Sequence, residues 1–208
     1  MKKRFIFDLD GTLLTSDYHL ERELFTDLYG EEARDFISNV GFYLDEYESL
    51  FSSYDVEILS CYLKGRTGLP ITDDVIREWI SITGDDPGVM EEGVLDTFEY
   101  LKSRDYSIAV LTNWFLDSQK PRLRDSGLLE YVDEIYAGDT ILKPRKEAYL
   151  ASKKHYRTRE CVVIGDQLDK DYIGPRKYGF DSVLYDKNDR QHKNIVKVKK
   201  INEIMKRY

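Results

Sequence analysis

Cysteine is scarce in this sequence, in which Cys61 and Cys161 are the two among 208 residues. Neither belongs to a Cys-x-x-Cys or Cys/His spacing, so the sequence indicates neither a zinc site nor a disulfide framework. We therefore expect both to be reduced residues of the core. No apolar run approaches the roughly 18 residues that a membrane-spanning helix needs.

An export signal is also missing from the first residues. The basic start of the chain is followed by an apolar stretch from Phe5 to Phe7, which ends at Asp8 and is far shorter than the hydrophobic region of a signal peptide. We therefore expect a cytoplasmic protein with no membrane partner. The net charge of −8 at pH 7 argues against a nucleic-acid partner, which would require a basic patch.

Long Pro, Gly or Ser tracts are absent as well, and 41% of the residues are hydrophobic and 34% charged, as is typical of a folded protein. A length of 208 residues exceeds the roughly 150 of a typical single domain, which predicts one core domain with an inserted subdomain. The acids are concentrated in residues 15–87, which hold 17 Asp and Glu against 5 Lys and Arg, net −12. The remainder of the chain carries a net charge of +4.

Three short apolar runs each end in a small polar or acidic residue. They are Phe5 to Phe7 before Asp8, Ile108 to Leu111 before Thr112, and Val162 to Ile164 before Gly165 and Asp166. Runs of this kind, separated by amphipathic helices, predict buried strands of a parallel sheet. Ligands of such sheets bind at the carboxyl ends of the strands, so Asp8, Thr112 and Asp166 are expected to converge on one site.

Between and after these strands, apolar residues recur at helical spacing. A helix is predicted before the second strand, another from Leu116 to near Gly127, two further strands at 182–185 and 195–198, and a last helix from Ile201. Within residues 15–87, apolar residues also recur at helical spacing, so the sequence predicts an α/β, Rossmann-like core (1–14 and 88–208) with a small helical cap (15–87). Turns are expected at Thr15 to Asp17, at Gly84 to Gly88, and between cap helices at 62–68.

Asp8 and Asp10 sit one residue apart at the end of the first strand, where Gly11 permits a sharp turn. Alternation along an extended backbone points both carboxylates to the same side. Two close carboxylates repel each other, which favours a shared proton or a bound cation such as Mg²⁺. The other interpretation of this pair alone is two turn and N-cap aspartates.

The string FDLDGTLL, which contains Asp8 and Asp10, resembles the first signature of the haloacid dehalogenase-like hydrolases. Three further signatures follow in the same order. Thr112 in VLTNW matches the hydroxyl residue after the second core strand, and Lys143 in Leu-Lys-Pro matches the lysine beside the phosphate. In GDQLDKD, Asp166 and Asp171 match the acidic pair of that family. Taken singly, Thr112, Lys143 and Asp171 could be a strand-end residue, a loop charge and a helix N-cap.

The resemblance implies a phosphatase that forms a phospho-aspartate. Asp8 would attack phosphorus, while Asp10 would protonate the leaving group and later activate water. Mg²⁺ would be held by Asp8, the backbone carbonyl of Asp10 and Asp166. Departures from the pattern are few: Pro175 stands where relatives have a small residue such as Ala. The presence of Asp10 favours phosphate chemistry over dehalogenation.

The resemblance also implies roles for the remaining matched residues. Thr112, the backbone amide of Asn113 and Lys143 would receive the charge of the transferring oxygens, and Asp171 would orient Lys143 or a metal-bound water. A cap after the first motif implies a small phosphorylated metabolite as substrate. We further expect Lys64 and Arg66 to face the site from the 62–68 loop. The sequence carries no signal for an oligomeric state.

Two other functions remain open at this stage. A phosphomutase acting on a sugar phosphate would use the same core motifs and differ in its cap. A phospho-aspartate signalling domain, which does not hydrolyse a metabolite, also places aspartates, a threonine and a lysine at strand ends. Such domains are shorter, lack a cap and have no counterpart of GDQLDKD.

Overall fold

The structure of the protein, a computed structural model, describes residues 2–190 and 194–208. Its main strands are β1 (Arg4–Phe7), β4 (Ser107–Leu111), β5 (Glu134–Tyr136), β6 (Cys161–Gly165), β7 (Asp181–Tyr185) and β8 (Lys197–Val198). Within the described residues they form one sheet in the order β5-β4-β1-β6-β7-β8, and each neighbouring pair is parallel. The predicted α/β class with a Rossmann-like parallel sheet is therefore confirmed.

Residues 15–87 are mainly helical, as expected. Two short antiparallel strands, β2 (Leu14–Thr15) and β3 (Val89–Met90), pair where this segment leaves and rejoins the core. Between them lie α1 (His19–Tyr29), α2 (Arg34–Leu50), α3 (Val56–Thr67) and α4 (Asp73–Asp85). The side chains of Asp55 and Thr72 cap α3 and α4 by accepting a hydrogen bond from the first turn of each helix.

The core helices flank the parallel sheet. They are α5 (Val94–Ser103), α6 (Leu116–Asp125), α7 (Lys146–Ser152) and α8 (Gly174–Arg176), the last of which follows a π-helical turn at Leu168–Ile173. The helices predicted before the second strand and from Leu116 are thus confirmed. Pro175 lies in the first turn of α8, where its missing N–H costs nothing. The predicted last helix is a 3₁₀ helix, Ile201–Lys206.

Strand β1 is the centre from which the sheet is built. Phe5, Ile6 and Phe7 are fully buried because helices cover both faces of a parallel sheet. From β1 the chain passes to β4 and β5 on one side, and it then returns to β6, β7 and β8 on the other. This reversal opens a crevice at the carboxyl ends of β1, β4 and β6, which is where open α/β sheets bind ligands.

Three local predictions are wrong. Residues 62–68 are not an interhelical loop, because α3 continues through Gly65 and ends at Gly68, whose φ of +77° stops the helix. Glycine inside a helix costs only about 1 kcal/mol, so Gly65 does not break it. Likewise Gly84 belongs to α4, and the turn begins at Asp86. Cys61 is exposed on α3, on the side opposite to buried Leu59 and Leu63, whereas Cys161 is buried as expected.

In residues 2–190 and 194–208, no helix combines the length and the apolar composition that crossing a membrane requires.

The burial pattern predicts which aromatic residues stabilise the fold. Phe7 is fully buried and packs on Phe98 with ring centroids 5.1 Å apart, while Phe42 is 61% exposed. Phe7→Ala is expected to lower the free energy of unfolding by about 3–5 kcal/mol, and Phe42→Ala should change it by less than about 0.5 kcal/mol. Urea denaturation of the two variants checks this, and similar midpoints would contradict the assigned core.

Candidate active site

The predicted site residues come from the ends of neighbouring strands. Asp8 follows β1, Thr112 follows β4, and Asp166 follows β6. The register of β1 with β4 and β6 brings these ends level, because Phe7 is paired with both Val110 and Ile164. The backbone N–H of Asp8 donates to the carbonyl of Ile164 over 2.8 Å, which fixes the start of the turn that carries Asp10.

Lys143 lies at the middle of a carboxylate cluster. Its Nζ is 2.8 Å from Asp8 Oδ1 and 2.7 Å from Asp171 Oδ1, and all three side chains are almost fully buried. Carboxylate oxygens of Asp8, Asp166 and Asp171 lie within 4.8 Å of one another. Three carboxylates around one ammonium leave a net charge of −2, which is the charge that a divalent cation neutralises.

The electrostatics of this cluster follow from burial. Burial raises the pKa of Asp8 well above its usual value, and the Asp171 and Asp166 carboxylates add to this effect although Lys143 opposes it. Burial alone would lower the pKa of Lys143, but Asp171 and Asp8 outweigh it, so the pKa is raised and the ammonium stays protonated. Burial and Asp171 also raise the pKa of Asp166 to about 6.

Asp166 provides the test of whether this donor set suits a metal ion. Its Oδ1 is buried and has no hydrogen-bond partner among residues 2–190 and 194–208. An unpaired buried carboxylate oxygen is costly unless a cation approaches it. The oxygen donors, their net charge and this unpaired atom fit a hard divalent cation such as magnesium.

The π-helical turn holds Asp171 against the end of β6. Asp171 Oδ2 accepts a hydrogen bond from the backbone N–H of Gln167 at 3.1 Å. A Cβ at Gly165 would lie 2.3 Å from Asp171 Cγ, so only glycine allows this approach. π-helical turns are rare and are often found at functional sites. Asp171 thereby presents its other oxygen to Lys143.

Asn113 ties the loop after β4 to the loop that carries Lys143. Its Oδ1 accepts from the backbone N–H of Lys143 at 2.8 Å, and its Nδ2 donates to the Lys143 carbonyl at 3.0 Å. The same Nδ2 donates to Glu48 Oε2 on α2 at 2.9 Å. The side chain of Asn113 therefore positions Lys143 and contacts the helical segment.

Asp10 is held from α6 by two residues that the sequence analysis did not identify. Arg122 Nη1 is 2.5 Å from Asp10 Oδ1, and Gln119 Nε2 donates to Asp10 Oδ2 at 2.6 Å. Gln119 also donates to Thr112 Oγ1 at 2.9 Å and accepts from Arg122 at 2.8 Å. Arg122 Nε donates to the carbonyl of Asp86. The sequence offers one signal for these two residues, their i, i+3 spacing, which places both on one face of the helix that follows VLTNW.

Glu48 on α2 was also missed. It is buried, is 2.6 Å from Lys170 Nζ, and accepts a hydrogen bond from the hydroxyl of Tyr54 at 2.9 Å. Lys170, in the π-helical turn, also pairs with Asp45 at 2.7 Å. These contacts join the helical segment to the core beside the carboxylate cluster. In a segment with 17 acids, nothing in the sequence distinguishes Glu48 from the exposed ones.

A cavity of about 350 Å³ lies between the helical segment and the sheet. Asp8, Asp10, Thr112, Asn113 and Lys143 line its inner end. Glu21, Asp45 and Glu48 of the helical segment also line it. The volume suits a small ligand with one end at Asp8.

The structure does not bring Lys64 and Arg66 to this cavity, which corrects the expectation that they face the site. Both lie in the last turn of α3, and Arg66 pairs with Glu46 at 2.9 Å. Lys64 borders a separate surface depression beside Thr72 and Asp73. The Arg66 side chain thus makes a local ion pair on the surface of the helical segment rather than a contact with the cavity.

The chain belongs to the haloacid dehalogenase-like hydrolases, since the model of that family matches residues 2–179. It is 23% identical over 197 residues to the pyrimidine 5'-nucleotidase PynA of Streptococcus pneumoniae. The alignment covers 88% of this chain and 83% of that protein. The resemblance noted in the sequence is thus confirmed. This chain is a hydrolase.

Solved structures share the fold. The hydrolase YfnB of Bacillus subtilis, solved bound to magnesium, superposes on this chain with a TM-score of 0.74 at 20% identity. The superposition covers 99% of this chain and 97% of YfnB. An L-2-haloacid dehalogenase of Xanthobacter autotrophicus has a TM-score of 0.75 at 14% identity, with 99% and 98% covered. At these identities the likeness establishes the fold alone.

The raised pKa of Asp166 predicts that this side chain destabilises the metal-free protein. Folding raises the pKa of Asp166 from 3.8 to about 6. Between these two pH values the folded protein therefore keeps a proton that the unfolded chain has already released. Stability from this group is therefore lost as pH rises through about 6. Asp166→Asn should raise the free energy of unfolding of the metal-free protein at pH 7.5 by on the order of 2 kcal/mol, and the gain should vanish near pH 4.

Thermal unfolding in a chelator and in magnesium chloride measures both effects. Magnesium should raise the Tm of the original protein and leave that of Asp166→Asn unchanged. Asp169→Asn, at an exposed acid three residues along, is the matched control and should behave like the original protein. Magnesium stabilisation that survives in Asp166→Asn would contradict the metal assignment.

Proposed function

We propose that this protein is a magnesium-dependent phosphatase that hydrolyses a small phosphate monoester through an aspartyl phosphate on Asp8. The observation that carries the proposal is the cluster at the inner end of the cavity, where Lys143 pairs with Asp8 and Asp171 and the neighbouring Asp166 has one unpaired buried oxygen. The name of the pneumococcal relative, a 5'-nucleotidase, supports a phosphoric monoester as substrate.

In this proposal a divalent metal ion would be held by Asp8, Asp166 and the backbone carbonyl of Asp10. When bound, a divalent cation neutralises the carboxylates and polarises the phosphoryl oxygens, so that an anionic ester can approach Asp8. Asp171 takes no metal in this proposal, because its two oxygens are already used by Lys143 and by the backbone of Gln167. Its role is to position Lys143.

Asp8 is the proposed nucleophile. One of its carboxylate oxygens forms a bond to phosphorus while the bond from phosphorus to the ester oxygen breaks. Negative charge on the three other phosphoryl oxygens is received by the ammonium of Lys143, the hydroxyl of Thr112 and the backbone amide of Asn113. In the second step a water oxygen attacks phosphorus, and the bond to Asp8 breaks to release inorganic phosphate.

Asp10 is the proposed acid and base. It gives its proton to the leaving alkoxide in the first step and takes a proton from the attacking water in the second. Gln119 and Arg122 hold its two oxygens, so they fix the orientation of the carboxyl, which lines the cavity. They are positioning residues in this proposal.

Residues 15–87 are the proposed cap, with the core formed by 1–14 and 88–208. The cap supplies one wall of the cavity and restricts the entry of bulk water, which favours a small substrate over a macromolecule. Its acidic excess disfavours nucleic acid. A phosphomutase with the same core motifs would return the phosphoryl group to a sugar, so stoichiometric release of inorganic phosphate distinguishes the two activities.

Phosphate release in the presence of magnesium tests the proposal. Asp8→Asn should abolish turnover, because an amide is a poor nucleophile of nearly the same shape. Asp10→Asn should lower kcat by about 10²–10⁴-fold through lost proton transfer, while slow phosphorylation of Asp8 continues. A chelator should stop the reaction of the original protein.

The control is the thermal stability of each variant, which excludes loss of the fold as the cause. Mass spectrometry of the acid-quenched Asp10→Asn protein should find the added phosphoryl group on Asp8. Near-normal turnover of Asp8→Asn would refute the covalent mechanism. Turnover of a sugar phosphate without free phosphate would refute the phosphatase in favour of the mutase.

The contacts of Arg122 predict a second effect on the proton-transfer step. Arg122→Met removes the donor to Asp10 Oδ1 and should lower kcat by about 10–100-fold with little change in KM, since a misplaced acid acts mainly on the transition state. Arg122→Lys restores the charge and should recover part of the rate. Arg124→Met, at an exposed residue paired only with its neighbour Asp125 among the described residues, is the matched control. Equal kinetics of Arg122→Met and Arg124→Met would contradict this role.

A further inference from the structure

The outer part of the cavity is built from the helical segment and the loop after β4. Glu21 on α1 and Thr83 and Trp79 on α4 line it, together with Tyr54 and Trp114. The reacting groups lie at the inner end, so a phosphate ester seated at Asp8 has its alcohol part against this outer wall. The chemistry of the wall therefore selects the alcohol.

The charge of the outer wall is negative. The helical segment and the π-helical turn together line the cavity with three negative charges, those of Glu21, Asp45 and Glu48, and one positive charge, that of Lys170, which leaves −2. Lys170 pairs with Asp45 and Glu48. The other cations that line the cavity, Arg122 and Lys143, are paired with Asp10 and with Asp8 at the inner end. Among residues 2–190 and 194–208, Lys170 is the one cation beside the helical segment in the cavity lining, and its pairing with two carboxylates leaves it poorly placed to bind a second anionic group of the substrate.

Glu21 is a charged side chain of this wall that has an unpaired buried oxygen. It is 8% exposed, and no ion pair reaches it within residues 2–190 and 194–208. Its Oε1 accepts a hydrogen bond from Thr83 at 3.0 Å, but its buried Oε2 has no partner in the part of the chain that the structure describes. A buried carboxylate oxygen without a donor is costly, and a donor on the substrate would relieve that cost.

Aromatic rings form the rest of this wall. The ring centroids of Trp79 and Trp114 are 4.9 Å apart, and those of Tyr54 and Trp114 are 5.2 Å apart. The buried indole N–H of Trp114 has no acceptor among the described residues. Aromatic faces attract apolar rings and cations and repel anions through their negative faces. The ring faces therefore act in the same direction as Glu21, whereas the Trp114 N–H is suited to an uncharged acceptor such as a carbonyl or hydroxyl oxygen.

We infer that the site takes phosphate monoesters whose alcohol part ends in an uncharged or cationic group with an N–H or O–H donor, which Glu21 Oε2 accepts. Esters with a second anionic group at that end are rejected. The inference rests on the proposed phosphatase function and assigns its substrate class. Amines, hydroxyls and nucleobase N–H groups share this chemistry, and the substrate panel separates them.

Matched substrate pairs test the inference. Phosphoethanolamine is compared with phosphoglycolate, and glycerol 3-phosphate with 3-phosphoglycerate, because each pair exchanges a donor for a carboxylate at nearly constant size. Cytidine 5'-monophosphate represents the nucleobase. The donor-bearing member of each pair should have a kcat/KM at least about 10-fold higher, since a site built for a donor leaves its acceptor unpaired with the other member.

Glu21→Gln removes the charge at constant shape and should reduce each preference about 10-fold by improving the anionic substrates. Glu23→Gln, at an exposed acid of the same helix, is the matched control and should leave the preferences unchanged. Hydrolysis of both members of each pair at equal rates, or faster hydrolysis of the anionic ones, would overturn this inference alone. Hydrolysis of no ester would instead overturn the proposed function, and the inference with it.

Discussion

The buried ammonium of Lys143 is the interaction on which the rest of the site depends. Asp8 and Asp171 are both almost wholly removed from water, where a carboxylate is costly without a compensating charge, and the Lys143 ammonium lies 2.8 Å from the first and 2.7 Å from the second. Lys143 is held in turn by the side chain of Asn113, which bonds both its backbone N–H and its carbonyl. Its one charge cannot balance three carboxylates, so the same arrangement that stabilises Asp8 leaves Asp166 in need of a second cation.

Arg122 has a comparable position between the acid/base candidate and the helical segment. One nitrogen pairs with Asp10, and another donates to the carbonyl of Asp86, where α4 ends. Asp86 also accepts a hydrogen bond from the hydroxyl of Ser16, just after β2. Both connections of the helical segment are therefore bonded to each other and to the residue that orients Asp10. A shift of that segment would change the contacts of Asp10 through Arg122.

Sequence reasoning predicted the parallel sheet and the convergence of Asp8, Thr112 and Asp166, because buried strands and the polar residues at their ends are local patterns. It failed for Gln119, Arg122 and Glu48, whose roles arise from tertiary contacts with residues far along the chain. It failed differently for Lys64 and Arg66. Two glycines suggested a loop there, but Gly65 is compatible with a helix, and α3 carries both cations away from the cavity.

The acidity of the helical segment has two separate consequences. Most of its acids are exposed, where water and salt screen them and pairing contributes at most about 1 kcal/mol. Glu21 and Glu48 are buried beside the cavity, where water and salt screen a charge much less. Glu48 is compensated by Lys170, whereas Glu21 is compensated by no cation among the described residues. Because Glu21 lies on α1 and the reacting groups lie on the strand ends, the substrate preference can change without altering the carboxylate cluster.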